Sequence, residues 1–341
     1  MAIHSMKSFY VKMCRTLLRI ITRCRIPRFL FPKSNHIYSV WQHLVLLALR
    51  QYESKSYRRF ADLLQECTGI QEYLGLETIP HYTTLQKAAA RLEGTILHKM
   101  LSEFVLYKKV RLVLAGIDGT GFSYSTASYY YTKRINLRRK FLKIVLCADM
   151  NSQLVCTVAI HHDMAHDNPD FLPLLEQTNQ IVPVDIALGD MGFDDENNHV
   201  GAKKIGIHTV IPTRYADVPI WRTGGIHRKE MKRNFPINLY HQRNKSETIY
   251  FVTKQLMSDE ITSRNYTTQD NEILLRLIAY NVYRIIKLEF VILIWFLQGL
   301  SCSVFFSTLQ HIFLLILDRF NLKKYASCLN IVIMSLGICI H

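Results

Sequence analysis

Four polar residues in the C-terminal half of the chain share one spacing pattern. The segment YHQRNKSETIYFVTK carries Tyr240, Arg243, Glu247 and Lys254 at intervals of three, four and seven residues. On an α-helix, which turns by about 100° per residue, these positions fall on one narrow face and the opposite face is apolar. Taken alone, the pattern favours an amphipathic helix whose exposed face carries an ion pair from Arg243 to Glu247. A binding or catalytic face is the alternative, and it requires partners elsewhere in the chain.

Two aspartates each close an apolar segment with the composition of a buried strand. Asp118 ends RLVLAGID and Asp190 ends VDIALGD, and a glycine follows each within two positions. Functional side chains often lie where strands of a mixed sheet end, and glycine lets a backbone or ligand approach closely. A single such aspartate would be a turn or cap residue. Two of them, together with Glu247 on a docked helix, favour three carboxylates at one edge of a sheet.

Three neighbouring carboxylates raise one another's pKa and cannot all stay ionised without cations. Carboxylate oxygens are hard ligands, which select Mg²⁺ or Mn²⁺. The sequence therefore predicts that Asp118, Asp190 and Glu247 form a divalent-metal site.

These residues resemble those of the DDE transposases of bacterial and archaeal insertion sequences. The segment 240–254 matches the signature Y-x2-R-x3-E-x6-K, typical of the group named for insertion sequences four and five, at every fixed position. In addition, HHDMAHDNPDFLPLL resembles the family's segment between a hairpin and the following helix, and IAYNVYRII resembles its closing helix. The resemblance covers roughly residues 37–287 and implies a ribonuclease H-like catalytic domain.

The resemblance also implies roles for the matched residues. Asp118, Asp190 and Glu247 are expected to be catalytic and to bind two Mg²⁺ ions per site, for which Mn²⁺ can substitute. The remaining signature residues are expected to contact phosphates of the transposon end: Tyr240, Arg243 and Lys254.

The reaction follows from the chemistry of phosphodiesters. Two metal ions can activate a water or a 3′-hydroxyl on one side while stabilising the leaving oxygen on the other. The expected function is a transposase that hydrolyses DNA at insertion-sequence ends and transfers the exposed 3′-hydroxyls into target DNA. The expected partners are inverted-repeat ends and target DNA, with a homodimer on paired ends and no small-molecule substrate. Two alternatives stay open: a nuclease without strand transfer, and an inactive or decayed relative that only binds DNA.

The composition favours a nucleic-acid partner. The 341 residues include 42 Lys and Arg against 27 Asp and Glu, a net charge of +15. Such a surplus favours a polyanionic partner over a merely basic soluble protein. The eight cysteines include no CxxC pair and no cluster with histidine at zinc spacing, which indicates a reduced intracellular chain without structural zinc. We expect a cytoplasmic, nucleoid-associated protein.

The N-terminal segment is basic. Residues 1–36 contain eight Lys and Arg residues, and the first acidic residue of the chain is Glu53. This pattern predicts an arm that contacts phosphates, with a transit peptide as the alternative.

A small all-α domain is predicted over residues 37–107, where apolar residues recur at helical spacing. Its last helix is predicted to open with a capping box of Thr83 and Gln86. With Lys87 and Arg91 on that helix, the region is typical of a helix-turn-helix that binds a DNA major groove, although a plain helical bundle gives the same pattern.

The catalytic domain is predicted over residues 108–288. Its apolar segments predict the order β-β-β-α-β-α-β-α, an α/β domain with a mixed sheet. In a basic loop of this domain, Trp221 is expected either to stack on a flipped base or to pack in the core.

Residues 289–341 form a hydrophobic tail, predicted to be helical. No Lys, Arg, Asp or Glu occurs from Phe290 to Leu317, so a membrane protein is the rival class. The Gln, Ser, Thr and His residues within this stretch argue against a spanning helix, and membrane association is not favoured.

Overall fold

The computed structural model describes residues 8–30, 36–109, 113–124, 141–163 and 166–299. The part of the chain before residue 110 is helical. Its helices are α1 (Phe9–Arg23), α2 (Val40–Tyr52), α3 (Tyr57–Glu66), α4 (Thr68–Leu74), α5 (Tyr82–Arg91) and α6 (Gly94–Tyr107). Residues 40–107 are mostly helical, as expected, whereas a separate domain over 37–107 and its DNA-binding role stay predictions.

Helix α1 lies within the segment interpreted as a basic arm, and sequence reasoning did not predict it. Ser8 caps its first turn, and its apolar face is fully buried: Met13, Cys14, Leu17, Ile20 and Ile21. On its other face, Arg23 Nε lies 2.5 Å from Glu103 Oε1 of α6. Residues 9–23 therefore pack as an amphipathic helix, and phosphate contacts by residues 1–36 stay a prediction.

The expected capping box at Thr83 is wrong. The N-cap of α5 is His81, whose Nδ1 accepts a hydrogen bond from the Thr83 backbone N–H, so Thr83 already lies inside the first turn. The helix also ends at Arg91, because Leu92 is extended. The freed Leu92 carbonyl accepts a hydrogen bond of 2.9 Å from the buried Asn271 side chain. This contact stabilises the break between α5 and α6, which local helix propensity does not predict.

The remaining elements form a mixed sheet with helices. Its strands are β1 (Val113–Tyr124), β2 (Phe141–Asp149), β3 (Leu154–His161), β4 (Val184–Gly189), β5 (His208–Val210) and β6 (Glu260–Ile261). The helices are α7 (Phe171–Ile181), α8 (Glu196–Lys204), α9 (Ile226–Arg233), α10 (Ile237–Tyr240), α11 (Asn244–Met257) and α12 (Tyr266–Gly299). The strand order is β3-β2-β1-β4-β5, with β6 beside β1. The predicted mixed α/β sheet is confirmed.

The register of the sheet determines where the two aspartates lie. Strand β1 is antiparallel to β2 and parallel to β4, and Ile117 pairs with Gly189. Because the next residues are Asp118 and Asp190, neighbouring parallel strands bring both aspartates to one part of the sheet. The space at Gly189 is tight: a Cβ atom there would lie 3.1 Å from the Phe171 ring and 3.2 Å from the Phe193 ring.

Asn281 docks helix α12 on β3. Its buried side chain accepts a 2.9 Å hydrogen bond from Val155 N–H and donates one of 2.9 Å to the Val155 carbonyl. We expect Asn281→Ala to lower the free energy of unfolding by about 3 kcal/mol, since two buried backbone groups lose their partners. Denaturant unfolding measures this loss. The control Asn197→Ala, on the exposed face of α8, should stay within about 0.5 kcal/mol of the unsubstituted chain. Equal stability of both variants would contradict the docking role.

No helix among the described residues combines the length and apolarity needed to cross a membrane. Positions 300–341 of the predicted tail lie outside the described residues.

Candidate active site

Asp118 lies on β1 with its side chain toward helix α11. The residue is 8% exposed. Its Oδ1 accepts a hydrogen bond of 2.9 Å from Gly119 N–H, and its Oδ2 accepts one of 2.7 Å from Ser246 Oγ. Burial raises the pKa of the Asp118 carboxyl group above its ordinary value, although the bond from Ser246 and the charge of Arg243 oppose the shift. The carboxylate is thus held in one orientation by the strand and the helix together.

Asp190 directly follows β4 and caps the 3₁₀ turn Met191–Phe193. Its Oδ1 accepts a hydrogen bond of 2.6 Å from Gly192 N–H. The negative charge of Asp190 acts to raise the pKa of Asp118, after the larger effect of burial. The two carboxylates therefore interact electrostatically, as their strand positions predict.

Arg243 links Asp118 to Glu247. Its Nη1 lies 3.3 Å from Asp118 Oδ2, and its Nη2 lies 2.9 Å from Glu247 Oε1. The Arg243 side chain is 15% exposed, whereas that of Glu247 is 62% exposed. The ion pair of the simple amphipathic-helix interpretation is therefore present. The same guanidinium also contacts a buried aspartate of the central strand, which that interpretation does not predict.

The signature segment is less regular than one continuous helix. Tyr240 ends α10, Arg243 lies in the 3₁₀ turn His241–Arg243, and α11 begins only at Asn244. The dihedral angles of Tyr240, Arg243 and Asn244 nevertheless stay in the right-handed helical region. Side chains three residues apart lie above one another on a 3₁₀ turn. Tyr240 and Arg243 are therefore neighbours, with the Arg243 Cζ atom 5.7 Å from the Tyr240 ring centre.

Lys254, on α11, contacts β1 two to three residues beyond Asp118. Its Nζ donates hydrogen bonds of 2.9 Å to Thr120 Oγ1 and 2.9 Å to the Gly121 carbonyl. Partial burial lowers the pKa of Lys254. Helix α11 therefore places Arg243 and Lys254 along one strand, beside Asp118.

The donor chemistry of the three carboxylates fits a hard divalent cation, because all supply oxygen atoms. In the described part of the chain, however, no three Asp, Glu, His or Cys side chains lie close enough together to hold a metal ion. Glu247 is turned toward Arg243, whose guanidinium contacts both Glu247 and Asp118. A metal bound by all three residues would require the Arg243 side chain to move.

The other predicted site residues lie on exposed surfaces. Lys87 and Arg91 are exposed on α5. Trp221 is 73% exposed, and the Arg222 Cζ atom lies 4.6 Å from its ring centre. Core packing, one of the two expectations for Trp221, is therefore wrong. Base stacking by Trp221 stays a prediction.

Sequence reasoning missed Ser246 and Tyr250, which connect α11 to Asp118 on β1. Ser246 Oγ bonds Asp118 Oδ2, and Tyr250 OH donates a hydrogen bond of 2.5 Å to the Asp118 carbonyl. Both are buried. Their spacing of four residues on a helix could have indicated them, since Ser246 and Tyr250 share the side that faces the strand.

A second network, also missed, holds the loop that carries Trp221. Arg228 binds Asp194 through two hydrogen bonds, of 2.7 Å from Nε and 2.6 Å from Nη2. Glu196 accepts bonds from the backbone N–H groups at the start of α9 and from His227 Nδ1. Burial opposes ionisation of Glu196, but these bonds lower its pKa to about 2. The loop is thus fixed to α8 at neutral pH.

Comparison with known proteins assigns the sheet region to a family. Residues 113–282 match the sequence model described as "Transposase DDE domain". None of the curated proteins matches the chain. Among solved structures, the cryo-EM structure of the piggyBac transposase synaptic complex with hairpin DNA has a TM-score of 0.45 and 7% sequence identity, covering 82% of this chain and 72% of that chain.

Proposed function

The chain is a DDE transposase whose DDE domain spans residues 113–282, and on this premise we propose that it cleaves DNA at insertion-sequence ends and transfers the exposed 3′-hydroxyls into target DNA. The contact that carries this proposal is that of Arg243 with both Asp118 and Glu247. It brings the signature helix to the strand that bears the first aspartate. The strand order, with three antiparallel strands and two parallel ones, supports a ribonuclease H-like domain.

Asp118, Asp190 and Glu247 would hold the divalent cations, Mg²⁺ or Mn²⁺. When bound, such ions activate the attacking oxygen and stabilise the leaving oxygen of a phosphodiester. Ser246 and Gly119 orient Asp118 by hydrogen bonds to its two oxygens. The burial that raises the Asp118 pKa makes its charge costly, so the residue favours a positive partner.

Arg243 supplies that positive partner in this structure. If cations took its place at the carboxylates, the guanidinium would be free to bind a DNA phosphate, for which its paired N–H donors are suited. Lys254 of α11 lies beside Thr120 and Gly121 of β1, and its hydrogen bonds to them would hold it in place for a second phosphate. Tyr240 offers a hydroxyl next to Arg243.

Further DNA contacts are assigned to exposed residues. Lys87 and Arg91 would contact DNA from α5, and Trp221 would stack on an unpaired base beside Arg222. Binding to paired ends implies a homodimer. A DNA substrate implies a nucleoid-associated protein.

The direct test is an in vitro reaction with DNA that carries the ends of the element and a separate target plasmid. The proposal expects both end cleavage and joined products. Cleavage without joining would indicate the nuclease alternative. Binding without cleavage would indicate an inactive DNA-binding relative.

The metal requirement gives a second expected result. End cleavage should proceed with Mg²⁺ or Mn²⁺, stop in EDTA, and fail with Ca²⁺, whose looser coordination misplaces the reacting oxygens. Gel analysis of the cleaved ends measures this, and DNA binding at matched ionic strength serves as the control. Cleavage at full rate in EDTA would refute the two-metal mechanism.

A further inference from the structure

A cavity of about 840 Å³ lies where the end of α2, the start of α3 and helix α5 meet the segment 258–276. Its size is typical of small-molecule sites. Four cationic and two anionic side chains line it: Arg50, Lys55, Arg264, Arg276, Glu260 and Glu272. The lining is therefore positive overall.

Arg276, at the back of the cavity, has a complete set of protein partners. Its Nη2 lies 2.5 Å from Glu272 Oε1, and its Nε donates a 3.2 Å hydrogen bond to Gln51. Its other bonds go to the backbone carbonyls of Ser258 and Glu260. Glu272 in turn accepts hydrogen bonds from Thr262 and Ser263 N–H. The buried Arg276–Glu272 pair is thus neutral and satisfied.

Arg50 differs from Arg276. It is only 5% exposed, its Cζ atom lies 3.9 Å from the Tyr57 ring centre, and its buried Nε has no hydrogen-bond partner. Among the described residues, no hydrogen bond or ion pair forms with the Arg50 guanidinium. Glu272 is near enough to feel its charge but is already bonded to Arg276. The Nε–H group is thus a buried donor without an acceptor, which is costly, and the guanidinium of Arg50 is available to a ligand in the cavity.

We propose that this cavity binds a phosphate group, with Arg50 as its principal donor and Lys55 and Arg264 at its rim. The planar guanidinium matches a phosphate with paired hydrogen bonds, and stacking on Tyr57 keeps its plane fixed. The phosphate belongs either to a nucleotide or to a DNA backbone.

That the phosphate is part of a DNA backbone rests on the proposed function, and one structural observation favours it. The Arg276 Cζ and Lys254 Nζ atoms lie 5.9 Å and 5.1 Å from the Phe122 ring centre. The cavity and the signature lysine are therefore neighbours across one aromatic ring.

The first arm of the test uses the full chain in EDTA, titrated calorimetrically with inorganic pyrophosphate and with ATP. We expect binding, and we expect Arg50→Gln to weaken it at least about 10-fold, as for loss of hydrogen bonds to a charged group. The matched control is Arg58→Gln. This exposed arginine also stacks on a tyrosine, with its Cζ atom 4.9 Å from the Tyr82 ring centre, but it does not line the cavity. The Arg58→Gln variant should bind pyrophosphate and ATP with the affinity of the unsubstituted chain.

The second arm measures binding of a short DNA duplex by fluorescence anisotropy, with and without pyrophosphate. If the phosphate is that of DNA, Arg50→Gln weakens duplex binding beyond Arg58→Gln, and pyrophosphate competes. If it is that of a nucleotide, ATP binds while both variants bind the duplex equally.

Lys55→Glu, at the partly exposed rim, repeats both arms in case Arg50→Gln is poorly folded; melting curves identify such a case. The proposal is overturned if pyrophosphate and ATP do not bind and duplex affinity is the same in Arg50→Gln, Lys55→Glu and Arg58→Gln. Neither arm contains a divalent metal or scores cleavage. A negative result for the phosphate site can therefore be distinguished from a lack of transposase activity.

Discussion

Replacing Asp118 with asparagine is expected to lower end cleavage by about 10³-fold or more while leaving DNA binding largely intact. Asparagine keeps the shape of the side chain: its oxygen can accept the hydrogen bond from Gly119, and its amide nitrogen can donate to Ser246 Oγ, whose own proton can go to the Arg243 carbonyl. It cannot supply the negative charge that a divalent cation requires, and losses of this order follow removal of a group that stabilises transition-state charge. Asp190→Asn and Glu247→Gln should have the same effect for the same reason.

A matched control is available on the strand that leads to Asp190. Asp185 is exposed on β4, so Asp185→Asn removes one carboxylate from the same strand without touching the site. Its cleavage rate should equal that of the unsubstituted chain. Normal cleavage by any of the three site variants would remove that residue from the catalytic set, and an equal loss in Asp185→Asn would point to a general effect of charge.

The sheet and the positions of both aspartates were predictable because they depend on short-range patterns. Apolar runs of strand length gave the strands, and the end of each run gave Asp118 and Asp190. Parallel pairing of β1 with β4 then brings equivalent strand positions together. These features could be predicted because the pattern of apolar residues within each segment determines them.

Features that depend on distant contacts were not predictable. The break after Arg91 is stabilised by Asn271, and the orientation of Asp118 depends on Ser246, which is 128 positions away in the chain. The basic composition of residues 1–36 obscured helix α1, whose apolar residues recur at helical spacing. In the first two cases the deciding partner is brought near by tertiary packing, whereas the signal for α1 was local and was overlooked.

The contact of Arg243 with Asp118 is the most informative of these distant contacts. The spacing of Arg243 and Glu247 predicts an ion pair at the surface, worth a few tenths of a kcal/mol. In the structure, however, the Arg243 guanidinium is partly buried and contacts a second carboxylate. It binds Glu247 of α11 and Asp118 of β1 at the same time. Under the proposed function, a metal at the carboxylates would displace Arg243 and make its guanidinium available to a phosphate.

The salt dependence of DNA binding should separate the residues that hold phosphates from those that hold metal. Each neutralised phosphate contributes roughly 0.9 to the slope of log K against log salt, so Arg243→Gln and Lys254→Gln should each flatten the slope by about one unit. Glu247→Gln should leave it nearly unchanged, because its side chain contacts Arg243 and is not expected to contact DNA. Tyr240→Phe should weaken binding without changing the slope, since it loses a hydroxyl but no charge.

The measurement is affinity for an element-end duplex across a salt series, with Lys204→Gln as the control. Lys204 is an exposed lysine at the end of α8, so this variant removes the same charge away from the signature helix. A slope that stays the same in both Arg243→Gln and Lys254→Gln would mean that neither residue neutralises a phosphate. The signature face would then be an amphipathic surface with an ion pair, since Arg243 would serve only to link Asp118 and Glu247.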